Sequence, residues 1–395
     1  MGGICVRVLI TTDFYLPNLG GVTTVVLNER STLTKLGHEV RLLTIGAERT
    51  SSFEDGVYHL HASALKLFPD SYMTFSYHDP LLVDILAWKP DVVHSNNEFF
   101  TMGYAHRIAK QLGIRLVHTC HTDFTRYNEQ MRIRHHLWDQ LMALVIQRRV
   151  RFAHLIISPS EAHRSMLCRY GITKPMAVLP SGIDLERFSQ SPEPERLAQI
   201  RSSLGLASSD FVLISVSRLA AEKRLNLTID AFFLLSLLHK EARLLIVGGG
   251  PKEASLKKQV RDLGLENQVM FTGFVAPDQI PLYYHIADLF VSSSIRESQG
   301  LGFIEAMAAS MPVLLQEDGS LGFSIEEEGC GYLYGEARQF VTLVDNLIGD
   351  RKLLNSMGKR ARIASERFSL MRWGRALSCL LAGETSLEEG NQADD

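Results

Sequence analysis

Residues 211–224 read FVLISVSRLAAEKR and residues 243–251 read RLLIVGGGP. Each begins as a short apolar run rich in branched side chains and ends abruptly in cations or glycines. Such runs, separated by stretches of helical periodicity, are the signature of parallel α/β sheets. In this half the spacing predicts strands over Phe211–Ser217, Arg243–Val247, Val269–Thr272, Leu289–Ser292 and Pro312–Leu315. Towards the N-terminus the same alternation predicts Val6–Thr12, Glu39–Ile45, Asp91–Ser95, Arg115–His121, Leu155–Ser158 and Met176–Leu179. Each half restarts the pattern, so the fold class is α/β, with two parallel-sheet units. After Asp184 the text turns polar and proline-containing (Ser189, Ser191, Pro192, Glu193, Pro194), as a linker does. The boundary is placed near Phe188, giving domains over 1–187 and 188–365. Residues 366–383 are expected to form a helix packing back on the first domain, and 384–395 an acidic, disordered tail.

The 395 residues, 46% hydrophobic and 22% charged, have the composition of a globular chain of two to three domains. Against 44 Asp+Glu stand 41 Lys+Arg, a net charge of −3 that exerts no global pull towards nucleic acid. No sheet face interleaves basic and aromatic residues, and no nucleic-acid partner is expected. Cys5, Cys120, Cys168, Cys330 and Cys379 are odd in number and widely spaced, so they read as free thiols in a reducing compartment. The first apolar run is broken by Arg7, unlike a signal peptide. The longest apolar stretch, Ala231–Leu238, falls short of the roughly 18 residues of a membrane span. The expected location is the cytoplasm, peripherally at the inner face of the cell membrane.

Chemistry concentrates at the ends of the predicted strands. After the first comes a turn, Pro17 to Gly21, and then a helix; Gly20 and Gly21 let a phosphate approach its N-terminus, though a plain tight turn fits as well. Neither a G-x-G-x-x-G after that strand nor a Walker A pattern is found, which lowers the dehydrogenase and ATPase readings. Between Ser292 and Pro312 the chain reads SSSIRESQGLGFIEAMAASMP. Glu297 falls in a loop beyond a strand and Glu305 inside the next helix, so the two carboxylates suit different diols, while the Gly300 and Leu301 amides between them suit a diphosphate. A solvated acidic loop beside a salt-bridged helix is the alternative. Arg218 and Lys223, at the end of the strand from Phe211, are placed to neutralise a departing diphosphate, and Gly249 lies at the end of the next strand.

The ordered set of a glycine turn after the first strand, SRLAAEK, GGGP, FTGFV and E-x7-E resembles the family-four retaining glycosyltransferases over nearly the whole chain. Finer features, HTCHTDF near His121, PSE at Pro159, VLPSGIDL near Gly182, LYY at Tyr283 and ESQGL at Glu297, are similar to the branch that glucosylates diacylglycerol. The resemblance implies two facing, doubly wound Rossmann-like domains with a cleft between them, the GT-B arrangement. It also implies roles: Glu297 on the donor-sugar hydroxyls, Glu305 on the ribose, Arg218 and Lys223 on the diphosphate, Gly21 on a phosphate, His121 on the transferred sugar, with Gly249 and Val275 also at the donor. The chain departs from the family pattern at Ser310, where A-x-G-x-P has glycine, and at Gly249, where G-D-G-P has aspartate.

The implied reaction moves glucose from UDP-glucose to a lipid hydroxyl such as that of diacylglycerol, with retention. Other acceptors (phosphatidylinositol, a saccharide), GDP-mannose as donor, and a non-catalytic sugar-nucleotide-binding protein remain as alternatives. There is no D-x-D motif, so no cofactor is required, and magnesium is left open. His118 and Cys120 have the residue types of a metal site, but on the reading that alternate residues of a strand point to opposite faces no metal is assigned. Between Gly103 and Lys174 stand Arg107, Lys110, Arg115, Arg126, Arg132, Arg134, Arg148, Arg149, Arg151, Arg164, Arg169 and Lys174 against Asp123, Glu129, Asp139 and Glu161. Such a basic face is expected to meet anionic lipid, with Arg132, Arg134, Arg148 and Arg149 towards the membrane.

Overall fold

The computed structural model describes residues 5–17, 21–46, 50–64, 72–73, 78–121, 135–294, 300–317 and 325–384, with backbone alone at 64, 72–73 and 135–139. The expectations for Gly20, Glu297, Arg132, Arg134 and the tail from residue 385 therefore lie outside the described residues. The chain forms two compact units, Met1–Gly182 with Leu370–Asp395, and Ile183–Ser369.

In the first unit the strands are β1 (Arg7–Thr12), β2 (Glu39–Gly46), β3 (Ser52–Glu54), β4 (Val57–His61), β5 (Ser63–Ala64), β6 (Tyr72–Met73), β7 (Val92–Ser95), β8 (Arg115–Thr119), β9 (Leu155–Ser158) and β10 (Met176–Val178). Among the described residues its main sheet has the order β10-β9-β8-β7-β1-β2-β4-β3, parallel except where β3 turns back on β4. β5 and β6 form a separate antiparallel pair. Its helices are α1 (Gly21–Lys35), α2 (Leu81–Trp88), α3 (Thr101–Leu112), α4 (His135–Val150) and α5 (Glu161–Arg169). Successive strand residues enter opposite cores. Leu9, Leu43, Val93, Leu116 and Ile156 pack on one face of the sheet, and Val8, Ile10, Leu42, Val92 and Val117 on the other. Both faces are dry, which is why the strands read as near-continuous apolar runs.

The second unit holds α6 (Leu185–Ser189), α7 (Pro194–Ser203), β11 (Phe211–Val216), α8 (Leu225–Leu238), β12 (Ala242–Val247), α9 (Glu253–Asp262), β13 (Val269–Phe271), α10 (Ile280–His285), β14 (Leu289–Ser292), α11 (Leu301–Ala308), β15 (Val313–Gln316), β16 (Gly331–Tyr334), α12 (Ala337–Gly349) and α13 (Arg351–Ser365). Its sheet, β13-β12-β11-β14-β15-β16, is parallel throughout among the described residues. Ile183, Leu185 and Phe188 are already in this unit's core, so the chain crosses a few residues before Phe188. The last helix, α14 (Leu370–Ala382), belongs to the first unit: Trp373, Leu377, Leu380 and Leu381 join Val25, Val26 and Leu33 of α1 in one cluster. Each such side chain, fully buried, contributes roughly 1.5–3 kcal/mol.

All eleven strands read from the sequence are present, their ends within two residues. The unread ones are β3, β4, β5, β6 and β16; β3 and β16 are edge strands, and β3 is mostly exposed and lacks an apolar run. One departure from the family pattern acquires a physical meaning here. Ser310 ends the α11 segment at φ +59°, in the left-handed region that favours glycine. Ser310→Gly is expected to raise stability by roughly 0.5–1 kcal/mol, the left-handed penalty less the extra freedom glycine has unfolded. Thermal denaturation checks it, and an unchanged or lower Tm would show that Ser310 is unstrained.

Candidate functional site

Open α/β sheets take ligands beyond the carboxyl ends of the strands, where the strand order reverses. In the second unit that point lies between β11 and β14, since the chain runs from β11 to β12 and β13 in one direction and from β14 to β15 and β16 in the other. The loops meeting there are laced by backbone bonds. Leu219 N donates to Gly249 O (3.0 Å), Lys252 N to Leu219 O (2.9 Å) and Gly248 N to Gly273 O (3.1 Å). Gly248 sits at φ +128°, and a Cβ there would lie 2.1 Å from Ser217 O, so only glycine closes this lacing. At Gly249, by contrast, a Cβ would meet nothing nearer than Phe274 N at 3.5 Å, so the space does not demand the missing side chain's absence.

Arg218 stands just past the end of β11, exposed, with no hydrogen-bond or ion-pair partner among the described residues. Lys223 ends the short turn Ala221–Lys223, which is tied to the end of β14 where Ser294 Oγ donates to Glu222 O (3.4 Å). A further relay, Thr228 Oγ1 to Ser293 Oγ (2.7 Å) and Ser293 Oγ to Tyr334 hydroxyl (2.7 Å), fixes the chain where it leaves β14, and burial pushes the Tyr334 phenol up to about 12. Gly300, at φ +77°, opens α11; a Cβ there would collide with Phe303 at 2.3 Å. A Cβ on Gly302 would come within 3.1 Å of Val216 O, so the first turn of α11 abuts the end of β11 beside Arg218. The first amides of a helix lack intrahelical acceptors. Two cations and a helix N-terminus thus share one strand edge.

Glu305, one turn into α11, accepts a hydrogen bond from the Tyr284 hydroxyl (2.9 Å), which also lies 3.0 Å from Gly302 O. Burial raises its carboxyl to about 7, against the lowering effects of that hydrogen bond and of the Arg187 charge. Val275 lies beyond β13 with Phe274, Thr272 and Tyr283, lining a cavity of about 400 Å³. Arg218, Lys223, Gly249, Val275, Gly300, Leu301 and Glu305 are thereby gathered at one end of one unit. Gly21 and His121 belong to the other.

There the strand order reverses between β1 and β7. Gly21 is the first residue of α1, whose first turn carries no acid, and a Cβ on it would meet nothing within 4 Å. Two turns on, the buried Glu29 bonds His94 Nδ1 (2.5 Å) and accepts from Asn96 Nδ2 (2.9 Å). With Asn96 Nδ2 donating to Glu29, Asn96 Oδ1 accepts from His121 Nε2 (2.8 Å), which leaves Nδ1 of a neutral ring as an acceptor. Burial, above all, pushes His121 down to about 3. Asp13, just past β1, accepts from Phe100 N (3.2 Å) and Thr101 N (2.7 Å) at the start of α3.

Sequence reasoning missed Asp13, Glu29, His94, Asn96, Glu98 and Tyr284. The available signal was the polar residues directly beyond strand ends, Asp13 and the NNE of 96–98. The reading of His118 and Cys120 is corrected: residues two apart share a face of a strand, and one ligand atom from each lies, with one from Glu98, within 4.8 Å of the others.

Arg148 and Arg149 lie on α4. They line, with Arg107, Arg151, His106 and Phe152, a cavity of about 530 Å³. Met142, Ile146 and Val150 face the core, while Leu141 and Leu144 remain 50% and 44% exposed. No helix of the described residues is long and apolar enough to cross a membrane.

The description "Glycosyltransferase Family 4" matches residues 19–187, and "Glycosyl transferases group 1" matches residues 198–364. An α-monoglucosyldiacylglycerol synthase of Acholeplasma laidlawii is 27% identical over 92% of the chain and 93% of its own length. One of Streptococcus pneumoniae is 29% identical, covering 83% and 75% respectively. Among solved structures, Anabaena HepE in complex with UDP and glucose superposes with a TM-score of 0.72 at 21% identity, over 95% of the chain and 99% of that structure.

Proposed function

The chain belongs to the family-four glycosyltransferases, and from that premise we propose that it transfers glucose from UDP-glucose to a hydroxyl of diacylglycerol with retention at the anomeric carbon. The observation that carries this reading is the match, running through both units, to relatives named for that lipid product. The donor chemistry agrees with the second unit's strand edge: Arg218, Lys223 and the amides opening α11 receive the diphosphate, and Glu305 takes the ribose diol. Glu297, outside the described residues, takes the hexose hydroxyls by resemblance. In the reaction the bond from the anomeric carbon to phosphate oxygen breaks and the bond to the acceptor oxygen forms on the same face. The acceptor proton passes to the leaving phosphate, so no side-chain nucleophile is needed. His121, neutral and oriented through Asn96 and Glu29, accepts from the transferred sugar and sets its pose.

The test is incubation of the purified chain with a panel of labelled sugar nucleotides and with diacylglycerol, phosphatidylinositol or saccharide acceptors, followed by product identification. An α-glucosyl diacylglycerol formed from UDP-glucose is expected. Transfer from GDP-mannose, or to saccharide alone, overturns the reading.

The same proposal puts the first unit on an anionic bilayer. Its support is the arginine-lined cavity beside the exposed Leu141 and Leu144 of α4. Each well-placed arginine is worth about 1 kcal/mol at such a surface. Sedimentation with vesicles is expected to require anionic lipid, to weaken with salt, and to fall when Arg132, Arg134, Arg148 and Arg149 are replaced together by Gln. Binding indifferent to both discards the basic docking face.

A further inference from the structure

We propose that Glu98, His118 and Cys120 form a divalent-metal site of zinc type, clamping the segment beyond β7 to the end of β8. The three come from neighbouring strand ends. His118 is paired with Ser95 in the β7–β8 ladder. Cys120 follows on the same face, its backbone held where Cys120 N donates to Ile157 O (3.0 Å), and Glu98 lies three residues beyond β7, on the way into α3.

The three residues offer one thiol, one imidazole and one carboxylate, with ligand atoms mutually within 4.8 Å. Zinc bonds of about 2.0–2.3 Å in tetrahedral geometry place ligand atoms roughly 3.3–3.8 Å apart. His118 Nε2 and Glu98 Oε1 stand at 3.5 Å, inside that range and at ion-pair distance.

Burial makes the arrangement costly without an ion. His118 and Cys120 are 0% exposed and Glu98 1%. Glu98 Oε1 and both ring nitrogens of His118 have no hydrogen-bond partner among the described residues. Buried polar atoms are nearly always paired, so unpaired ones call for an explanation. A divalent ion supplies one for Oε1 and Nε2, which it takes together. Charge also balances: a thiolate and a carboxylate offset the two positive charges, the imidazole stays neutral, and the buried cluster carries no net charge. A sulfur, a nitrogen and an oxygen donor suit zinc; magnesium and calcium prefer oxygen throughout.

The site bears on the neighbouring chain. His121 directly follows Cys120 and bonds Asn96, two residues before Glu98. An ion joining Glu98 to Cys120 would brace both ends of that contact.

The test is independent of any transfer reaction. The purified chain is stripped with chelator, dialysed against zinc, desalted and assayed for metal, and in parallel loaded with cobalt and examined by absorption. About one equivalent of zinc is expected, and a thiolate-to-cobalt charge-transfer band with the intense visible bands of tetrahedral cobalt. Cys120→Ser and Glu98→Gln are expected to weaken retention by about a hundredfold or more while the circular dichroism spectrum is kept. Cys330→Ala, in the other unit, is expected to leave metal and band intact. A wild-type chain that retains no zinc overturns the proposal, as does a cobalt spectrum without the thiolate band. A folded Cys120→Ser chain that binds zinc as tightly as wild type does so too. If Cys120→Ser fails to fold, Glu98→Gln and the wild-type cobalt spectrum decide.

Discussion

Arg218→Ala is expected to lower kcat by roughly ten-fold to a thousand-fold, and Lys223→Ala by a comparable factor, because on the proposed reading each removes a charge aimed at a diphosphate whose negative charge grows as the glycosidic bond breaks. Arg218 suits the task because it is exposed beyond β11 with no partner among the described residues, so substrate has no ion pair to break there. Lys223 reaches the same edge from a turn tied to β14 through Glu222 and Ser294. The loss should appear in kcat more than in the KM for donor, since the charge is worth most when the leaving group is fully developed. Arg218→Lys should recover part of the rate, a point charge replacing a planar fork. Steady-state kinetics with labelled donor makes the measurement. Near-normal turnover in both alanine variants removes the diphosphate role from this edge.

On the proposed reading, the affinity for UDP is expected to fall by up to about tenfold for each pH unit below about 7, and to flatten above it, through Glu305. The sign follows from the direction of the shift. Burial raises this carboxyl from 4.5 to about 7, so below that pH the free protein holds it neutral. A ribose diol donates hydrogen bonds, and an ionised carboxylate accepts them through both oxygens where the neutral acid offers only its carbonyl, so on the proposed reading binding at low pH favours expelling a proton. Calorimetry from pH 5.5 to 8 reads the slope, and Glu305→Gln should abolish it while weakening UDP at pH 8. A slope that survives in Glu305→Gln assigns the titration to another group. The same shift has a stability signature. Between pH 4.5 and about 7 the folded chain keeps a proton that the unfolded chain has lost, so this group's contribution to stability declines as pH rises through that window.

Where the proposed donor residues fall was legible from the sequence: Arg218 and Gly249 just past strand ends, Lys223 and Gly300 in the loops that follow, and Glu305 in the helix after β14, because a parallel sheet presents such ends in a fixed order along the chain. The environment of Glu305 was not legible. Its partner Tyr284 is 21 residues away on another helix, and only packing brings a phenol and a carboxylate to 2.9 Å. His121 was singled out from the sequence by resemblance, but its contacts were not, because Glu29 reads as an ordinary polar helix position until the helix packs against β7.

What the sequence by itself determined is whatever depends on local periodicity: eleven strands, their parallel sense implied by the intervening helices, and the restart of the pattern after Asp184. Period-two and helical repeats are properties of the backbone, so they survive in one dimension. What only the tertiary structure decided depends on strand order and on contacts distant in sequence. The β1–β7 neighbourhood brings Asp13 to the start of α3, and the β7–β8 pairing ties Asn96 to His121. The return of α14 onto α1 puts Trp373 and Leu33, far apart in sequence, in one core. The grouping of Glu98 with His118 and Cys120 belongs to this second kind, although half of it lay within reach: two strand residues separated by one share a face, and only the third required the fold.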